Sequence, residues 1–550
     1  MIGGTTPKKL GLLPLVVYCF SFLIIIFLGT SQAQEELKSG EEAIDYSPVT
    51  DAVEESPVEA QDEEKKDTPA LSFTLEQIKL SGNTKIGSSE LEKLFQPFIG
   101  TAVDHADLQA IADGISEHYI EKGLSAVAYL PQQTIQKGIV EIMVLEGTIG
   151  EMRITGNKYY TDQYIRGHLL PARASLLVSD WERALLLLND TQDLIVTSEF
   201  TPGRSLGKTD VNVYANDRLP LHASLSYNNF GSRFVSRDRY ILRASIGTQN
   251  GGLFSVTGLF ASPIDELTYV LINASHPINY NGTKVHAYYA SGNFLLGQDF
   301  RAINIRGESR NYGLSISHPF IRTRIRNLTG EIGIENRYFT QENNLEFENA
   351  LVITPGLRYN RTLTWSQYYL TAFLSFGAGE GWGRTNLPSA NPDADNTFTK
   401  LNITAGQDIP LTQSLSFNMR GEAQLTGQIL ESPERFVLGG FGKVRGFFPG
   451  EFLGNSGFNT TAELTYSPKK FRRAKLFSFV DYGQVFRDDD PVKDPFLSGY
   501  GVGASYLMHI KRGYFSARLD VGWPMSFDSA LTAPRPLEEP IYYIQATLGI

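Results

Sequence analysis

The sequence predicts two small α+β repeats, then a 16-stranded antiparallel transmembrane β-barrel with one loop folded into its lumen. Three observations predict it. A strand-and-turn signature in the first part of the chain recurs once, 74 residues on. From residue 217 onward, apolar and polar residues alternate with period two. A single Gly-rich, apolar stretch around residues 436–450 then breaks that alternation.

Composition sets the outer bounds. The 550 residues are 42% hydrophobic and 20% charged, with a mean hydropathy of −0.17. That excludes a polytopic helical membrane protein, which needs repeated apolar runs of about 20 residues. It also excludes wholesale disorder. The 51 glycines and 11% aromatics fit many strands and turns. The net charge is −11, but residues 34–70 alone hold 13 Asp/Glu against 3 Lys. With the +2 of residues 1–33 set aside, residues 71–550 carry only −3. No basic face points to nucleic acid, and none is expected as a partner.

At the N-terminus, Lys8 and Lys9 precede an apolar stretch from Leu10 to Leu28, and Ser31-Gln32-Ala33 forms a small-x-small cleavage pattern. Residues 1–33 therefore read as a signal peptide cleaved before Gln34. An uncleaved anchor is the rival reading, weakened by Pro14 and Ser21. The single cysteine, Cys19, lies within this stretch. A mature chain without cysteine has no disulfide, thiolate metal site or cysteine nucleophile. Residues 34–70, rich in Glu, Asp, Ser and Pro, read as a disordered acidic linker. A lumenal plug or partner-binding tail is the alternative.

Residues 71–216 hold the repeat. Ile78-Lys79-Leu80-Ser81-Gly82-Asn83 recurs as Met152-Arg153-Ile154-Thr155-Gly156-Asn157, each an alternating strand running into a Gly-Asn turn. A short helix is expected next (89–95 and 161–169), then a second helix (107–122 and 180–193). Leu108, Ile111, Ala112, Ile115 and Tyr119 recur at helical spacing in the first copy, and Ser179 is the expected N-cap in the second. Two strands close each copy: 125–130 with 139–145, and 194–200 with 209–214. The economical division is a β-α-α-β-β unit over 71–147 and another over 148–216.

Residues 217–550 are expected to form the barrel. Leu221, Ala223, Leu225 and Tyr227 alternate with His222, Ser224, Ser226 and Asn228; Leu415, Phe417 and Met419 alternate with Ser416, Asn418 and Arg420. A soluble sandwich would alternate in the same way. The barrel is favoured because strand-like segments continue through the whole region, their outward faces are apolar or aromatic, and the chain ends on a strand. That strand, 541–550, puts Tyr542, Ile544, Ala546, Leu548 and Ile550 on one face, and it could pair with the first strand to leave no open edge in lipid. The segments number 17, or 16 if 300–320 is one long kinked strand. Single-chain bacterial barrels have even strand numbers, so 16 is expected.

The stretch Phe436 to Pro449-Gly450 holds five glycines and one proline in 15 residues and is expected not to form a strand. It is also too apolar for a free surface loop, so it should fold back into the lumen. Arg445 would then need a partner, since a buried guanidinium is costly unless paired. Asp481 is the candidate, on a strand over 476–486, facing the lumen if Val480 and Tyr482 face lipid. A solvated loop charge is the alternative for Arg445.

Val444-Arg445-Gly446-Phe447 resembles the Val-Arg-Gly-aromatic motif of the outer-membrane barrel superfamily that assembles or secretes proteins. Phe479-x-Asp481-x-Gly483 resembles its companion strand motif. The repeats resemble POTRA (polypeptide-transport-associated) domains. Two copies resemble the two-partner secretion branch, the haemolysin-activator and filamentous-haemagglutinin transporters. Residues 201–211 resemble that branch's closing segment of POTRA 2, and Tyr227 to Ser232 its first barrel strand. The resemblance implies a Gram-negative outer-membrane transporter with periplasmic POTRA domains. It would bind an unfolded secreted client and pass it through the barrel. Outer-membrane lipids and the barrel-insertion machinery are the other implied partners. Family members usually end in an aromatic; this chain ends in Ile550. The second reading is a barrel-assembly factor and the third a passive porin, which leaves the repeats without a purpose.

No catalytic constellation stands out. Gly442-Lys443 sits in a failed phosphate loop, with Val437 where Gly is needed and Val444 where Ser or Thr is needed. The eight His form no H-E-x-x-H, Gly-x-Ser-x-Gly is absent, and Asp488-Asp489-Asp490 reads as a solvated turn, with a calcium site as the alternative. No enzyme activity, metal or cofactor is expected.

Overall fold

The computed structural model describes residues 73–550, apart from 125, 132, 134, 136, 176, 205–207, 298–300, 302–303, 342–346, 379–396, 472, 487–493, 512 and 528–538. The expected signal segment, the acidic linker and Asp488-Asp489-Asp490 lie outside the described residues. The chain divides into two compact units between Arg218 and Leu219.

The first unit contains both repeats. A two-residue strand β1 (Phe73–Thr74) precedes β2 (Gln77–Ser81) and the helix Ser88–Phe95. Then come β3 (Ala102–Val103), the helix His105–Glu121, β4 (Ala126–Tyr129) and β5 (Ile139–Glu146). The pairing of β1 with β3 is an addition to the expected pattern. The second copy has β6 (Thr148–Thr155), helices Asp162–Ser175 and Val178–Asn189, β7 (Leu194–Pro202) and β8 (Lys208–Asp217). Each copy forms a three-stranded sheet, ordered β2-β5-β4 and β6-β8-β7, with the last strand of the copy in the centre. The five apolar helix positions from Leu108 to Tyr119 are all buried in the first core.

Helix starts depart from expectation for identifiable reasons. The first long helix begins at His105 because Asp104 caps it: its carboxylate accepts the Asp107 amide, and Asp107 accepts the Asp104 amide. Ser179 is not an N-cap. That helix begins at Val178, whose amide donates to the Gly123 carbonyl of the first repeat at 3.2 Å, so a tertiary bond replaces the side-chain cap.

The Gly-Asn signature marks a device used twice. Glu146, ending β5, accepts the amides of Thr84 at 2.7 Å and Lys85 at 2.6 Å, just after Gly82-Asn83. Asp217, ending β8, accepts the amides of Lys158, Tyr159 and Tyr160, at 2.8, 2.6 and 3.0 Å to Oδ2, just after Gly156-Asn157. Asn83 and Asn157 each donate to the carbonyl three residues on. Burial opposes the charge on Glu146. The Thr84 hydroxyl, the Lys85 amide, the Tyr119 phenol and the Thr84 amide outweigh it and hold the carboxyl below its ordinary value. Its stabilisation is therefore present above the ordinary glutamate pKa and lost as pH falls through the lowered one. Glu146→Ala should destabilise this domain by about 1–3 kcal/mol and flatten its acid limb; an unchanged acid midpoint of unfolding would refute the role.

The second unit is a closed barrel of 16 strands, all neighbouring pairs antiparallel. It opens with β9 (Leu221–Asn228), β10 (Arg239–Gly247), β11 (Leu253–Ala261), β12 (Leu267–Pro277) and β13 (Lys284–Leu295). There follow β14 (Arg306–Arg322), β15 (Arg326–Gln341), β16 (Phe347–Thr362), β17 (Gln367–Ala378), β18 (Phe398–Pro410) and β19 (Leu415–Leu425). Two short strands, β20 (Phe436–Leu438) and β21 (Phe452–Gly454), pair only with each other. The wall resumes with β22 (Ser456–Tyr466), β23 (Ala474–Phe486), β24 (Phe496–Ile510), β25 (Gly513–Phe527) and β26 (Ile541–Gly549).

Within the expected 300–320 segment a single strand, β14, begins at Arg306 and continues to Arg322, with a register shift between Pro319 and Ile321. Alternation sorts the two faces: Val480 is 48% exposed on the outside while Asp481 is fully buried inside. Several turns at one end are short (248–252, 278–283, 323–325, 363–366, 411–414), as in outer-membrane barrels. Among the described residues no helix is long and apolar enough to cross a membrane. The barrel closes where β26 pairs with β9, from Asn228↔Gln545 to Ser224↔Gly549. Ala223 and Ile550 extend this seam by exchanging both backbone bonds, at 3.3 and 2.9 Å. The segment Tyr227 to Ser232 is strand only to Asn228. Beyond it the Asn229 side chain stands in for a strand residue, donating to the Tyr542 carbonyl at 3.0 Å and accepting the Ile544 amide at 2.8 Å.

Candidate functional site

The connection from β19 to β22, residues 426–455, passes inside the wall. Its start corrects one expectation. Phe436-Val437-Leu438 does form a strand, paired with β21, because the backbone-loosening glycines begin only at Gly439. Phe436, Leu438, Val444, Phe447 and Phe452 of this loop bury themselves with Val485 of β23 and Leu497 of β24. Their apolar character supplies the burial that holds a glycine-rich segment in place.

Arg445 sits at the centre, 4% exposed. Its Nε and Nη2 donate to the two oxygens of Asp481 at 2.7 and 2.9 Å, a bidentate fork. Its backbone amide also donates to Asp481 Oδ2, at 3.0 Å. The guanidinium lies over the Phe479 ring, 3.2 Å from the centroid, which adds a cation–π attraction. Nη1 reaches Asp520 Oδ2 at 3.0 Å and Glu463 Oε2 at 3.2 Å. Asp520 is held in turn by Arg518, at 2.8 and 3.0 Å.

The other motif positions have visible reasons. Gly446 has φ +96°, and a Cβ there would stand 2.6–2.7 Å from the Trp523 carbonyl group. Its amide donates to the Tyr543 hydroxyl at 3.2 Å, and that hydroxyl donates to the Phe447 carbonyl at 2.7 Å. Val444 and Phe447 are core residues. A Cβ on Gly483 would lie 2.4 Å from Leu438 Cδ1, so that glycine admits the loop's own side chain. Phe441 stacks on Phe230, just after β9, with centroids 3.8 Å apart and planes 11° from parallel.

The structure thus brings Arg445, Asp481, Phe479, Gly446 and Gly483 into one constellation. Sequence reasoning missed Asp520, Glu463 and Tyr543. A signal for Asp520 was present: Asp520-Val521-Gly522 repeats the Asp-x-Gly spacing of Asp481-Tyr482-Gly483 on the next strand but one. Tyr543 carries no local signal, because its partners are backbone atoms 96 and 97 residues away. Among the described residues, no group of His, Cys, Asp or Glu is placed to hold a metal ion. The arrangement can hold a loop across the inside of the barrel by a buried, multiply paired charge.

Comparison with known proteins identifies the architecture. The family described as "Haemolysin secretion/activation protein ShlB/FhaC/HecB" matches residues 207–506. The ShlB-type POTRA domain matches residues 73–147. The heme/hemopexin transporter protein HuxB of Haemophilus influenzae is 24% identical over 430 residues, covering 75% of this chain and 76% of that protein. The outer membrane transporter CdiB of Escherichia coli is 23% identical over 489 residues, covering 83% and 79%. A solved structure of CdiB from Escherichia coli superposes with a TM-score of 0.72 at 21% identity, over 97% of this chain and 98% of that one, which shows a shared fold. The two-partner secretion branch is thereby favoured over a barrel-assembly factor or a passive porin. The chain belongs to the haemolysin secretion/activation protein family ShlB/FhaC/HecB, and it is an outer-membrane β-barrel transporter of the two-partner secretion type, with POTRA in the periplasm.

Proposed function

We propose that this transporter takes its client unfolded, by strand addition to the edges of the two POTRA sheets, and passes it through the barrel once the Arg445 loop yields. The observation that carries the first step is topological. In both sheets the central strand is the last one, so β2, β4, β6 and β7 are edges, with no further strand beside them among the described residues. Unpaired backbone groups on such edges accept an extended peptide of any sequence, while alternate side-chain positions supply preference. On β7, Phe200 is half exposed beside Trp181 and extends the apolar surface along that edge.

The latched loop supplies the second step. Val444, Arg445, Gly446 and Phe447 on the loop, with Phe479, Asp481 and Gly483 on the wall, act as a lock. Transport needs no catalytic residue or cofactor. Folding of the client outside the cell supplies the drive, since no nucleotide is spent in the periplasm. The apolar outward faces meet outer-membrane lipid, the barrel-insertion machinery acts during biogenesis, and the acidic linker 34–70 serves as a spacer behind a signal peptide cleaved at Ala33.

Deleting the gene and comparing secreted proteins names the client. The isolated 71–216 fragment should then fold and slow refolding of that client. A folded fragment with no effect on the client, whose secretion nevertheless depends on the full chain, would reject strand addition.

A further inference from the structure

The structure assigns Glu434 as a second clasp of the in-folded loop, a positioning residue at its root that works independently of Arg445. This inference rests on the reading that the loop bars the lumen. Glu434 ends the short 3-10 turn Ser432–Glu434, one residue ahead of β20, and its side chain is fully buried. Two cations from the wall meet it. Arg337 of β15 pairs with Oε1, and Lys400 of β18 lies 2.7 Å from Oε2. The Lys400 ammonium also donates to the Glu434 carbonyl at 2.9 Å. Gln424 of β19 donates to the same carbonyl at 2.8 Å and to the Asn455 carbonyl at 2.9 Å, so it grips both ends of the loop. Arg337 is further paired with Glu335 on its own strand.

The two clasps have opposite polarity and hold different arcs of the wall. Near the tip, the loop contributes the cation, Arg445, and β22, β23 and β25 contribute the acids Glu463, Asp481 and Asp520. At the root, the loop contributes the acid and β15 and β18 contribute the cations. In barrel order the root is held by β15, β18 and β19 and the tip by β22, β23 and β25, with Lys443 joining the loop to Glu422 of β19 between them. A buried carboxylate is tolerated only when its charge is paired. Either clasp alone keeps part of the loop on the wall. Releasing both should free it far more than either single change suggests.

The test is channel conductance of the full chain in planar bilayers, which requires no client. Variants are Glu434→Gln, Arg445→Ala, their combination, and Glu434→Gln with Lys400→Gln, which removes charge from both sides and leaves less stranded. Glu331→Gln, which breaks the Glu331–Arg358 pair between β15 and β16, is the wall control. The expected result is a several-fold higher open fraction for Glu434→Gln, or for its Lys400 double if the single variant fails to insert. The combination with Arg445→Ala should exceed the product of the two singles, and Glu331→Gln should match wild type. An open fraction at the wild-type level with Arg445→Ala active would overturn the role of Glu434. Equal opening by Glu331→Gln would overturn it too, by showing general loosening of the wall. Arg445→Ala without effect would instead overturn the premise that the loop bars the lumen.

Discussion

Arg445→Ala should lose most secretion at an outer-membrane level equal to wild type. The side chain is nearly fully buried and answers three carboxylates. Removing it strands Asp481, which has no other charge partner among the described residues, whereas Asp520 keeps Arg518. Breaking a buried pair from one side costs about 3–5 kcal/mol, because the other charge is left uncompensated. The barrel does not depend on this pair for closure, so insertion should survive. Asp481→Ala should be milder, since Asp520 and Glu463 still hold the guanidinium. The double variant should be less harmful than the sum of the singles, because the second change removes a charge already stranded. Arg445→Lys should not restore function: an ammonium cannot make the fork to Asp481 while also lying flat on Phe479. Secretion measured at matched protein levels decides the matter. Wild-type secretion by Arg445→Ala, or strictly additive losses, would show that the pair is not a lock.

Gly499→Ala should displace the same loop without touching any charge. Gly499 lies at the register shift of β24, and a Cβ there would stand 1.9 Å from the Arg445 carbonyl oxygen. The obstacle is backbone rather than the end of a flexible side chain, so either the loop or the wall must move. Overpacking of this kind costs about 1–3 kcal/mol, and it falls on the contact between the Arg445 backbone and β24. Gly427→Ala, in the same connection but with nothing within 4 Å of the added carbon, is the control. Limited proteolysis of the inserted protein should cut the 436–450 loop faster in Gly499→Ala and unchanged in Gly427→Ala. Equal protection in all three proteins would mean that the loop is not seated against β24.

Strand alternation, the Gly-Asn repeat and the motif around Arg445 were legible before any coordinates, because each rests on neighbours in sequence. Period two is a property of one strand, and it set Val480 outward and Asp481 inward. Helix His105–Glu121 was legible for the same reason, its apolar positions recurring within the segment itself. Failures fell where a distant group took over a local role. Ser179 lost its cap to the Gly123 carbonyl, and the carboxylates of Glu146 and Asp217, about 60 residues downstream, hold the two Gly-Asn turns.

By itself, then, the sequence determined the order of the two α+β copies and the wall, the sixteen-strand expectation, the alternating faces of strands such as 221–228 and 415–420, and the presence of one loop too apolar for solvent. Only the tertiary structure decided what that loop touches. Asp520 and Tyr543 reach it from strands 75 and 97 residues away, and Glu434 finds Arg337 and Lys400 on another arc of the barrel. Barrel closure is the physical reason: curving the sheet until β26 meets β9 brings inward side chains from strands far apart in sequence into one lumen, where low dielectric makes each buried charge depend on partners that no local pattern announces.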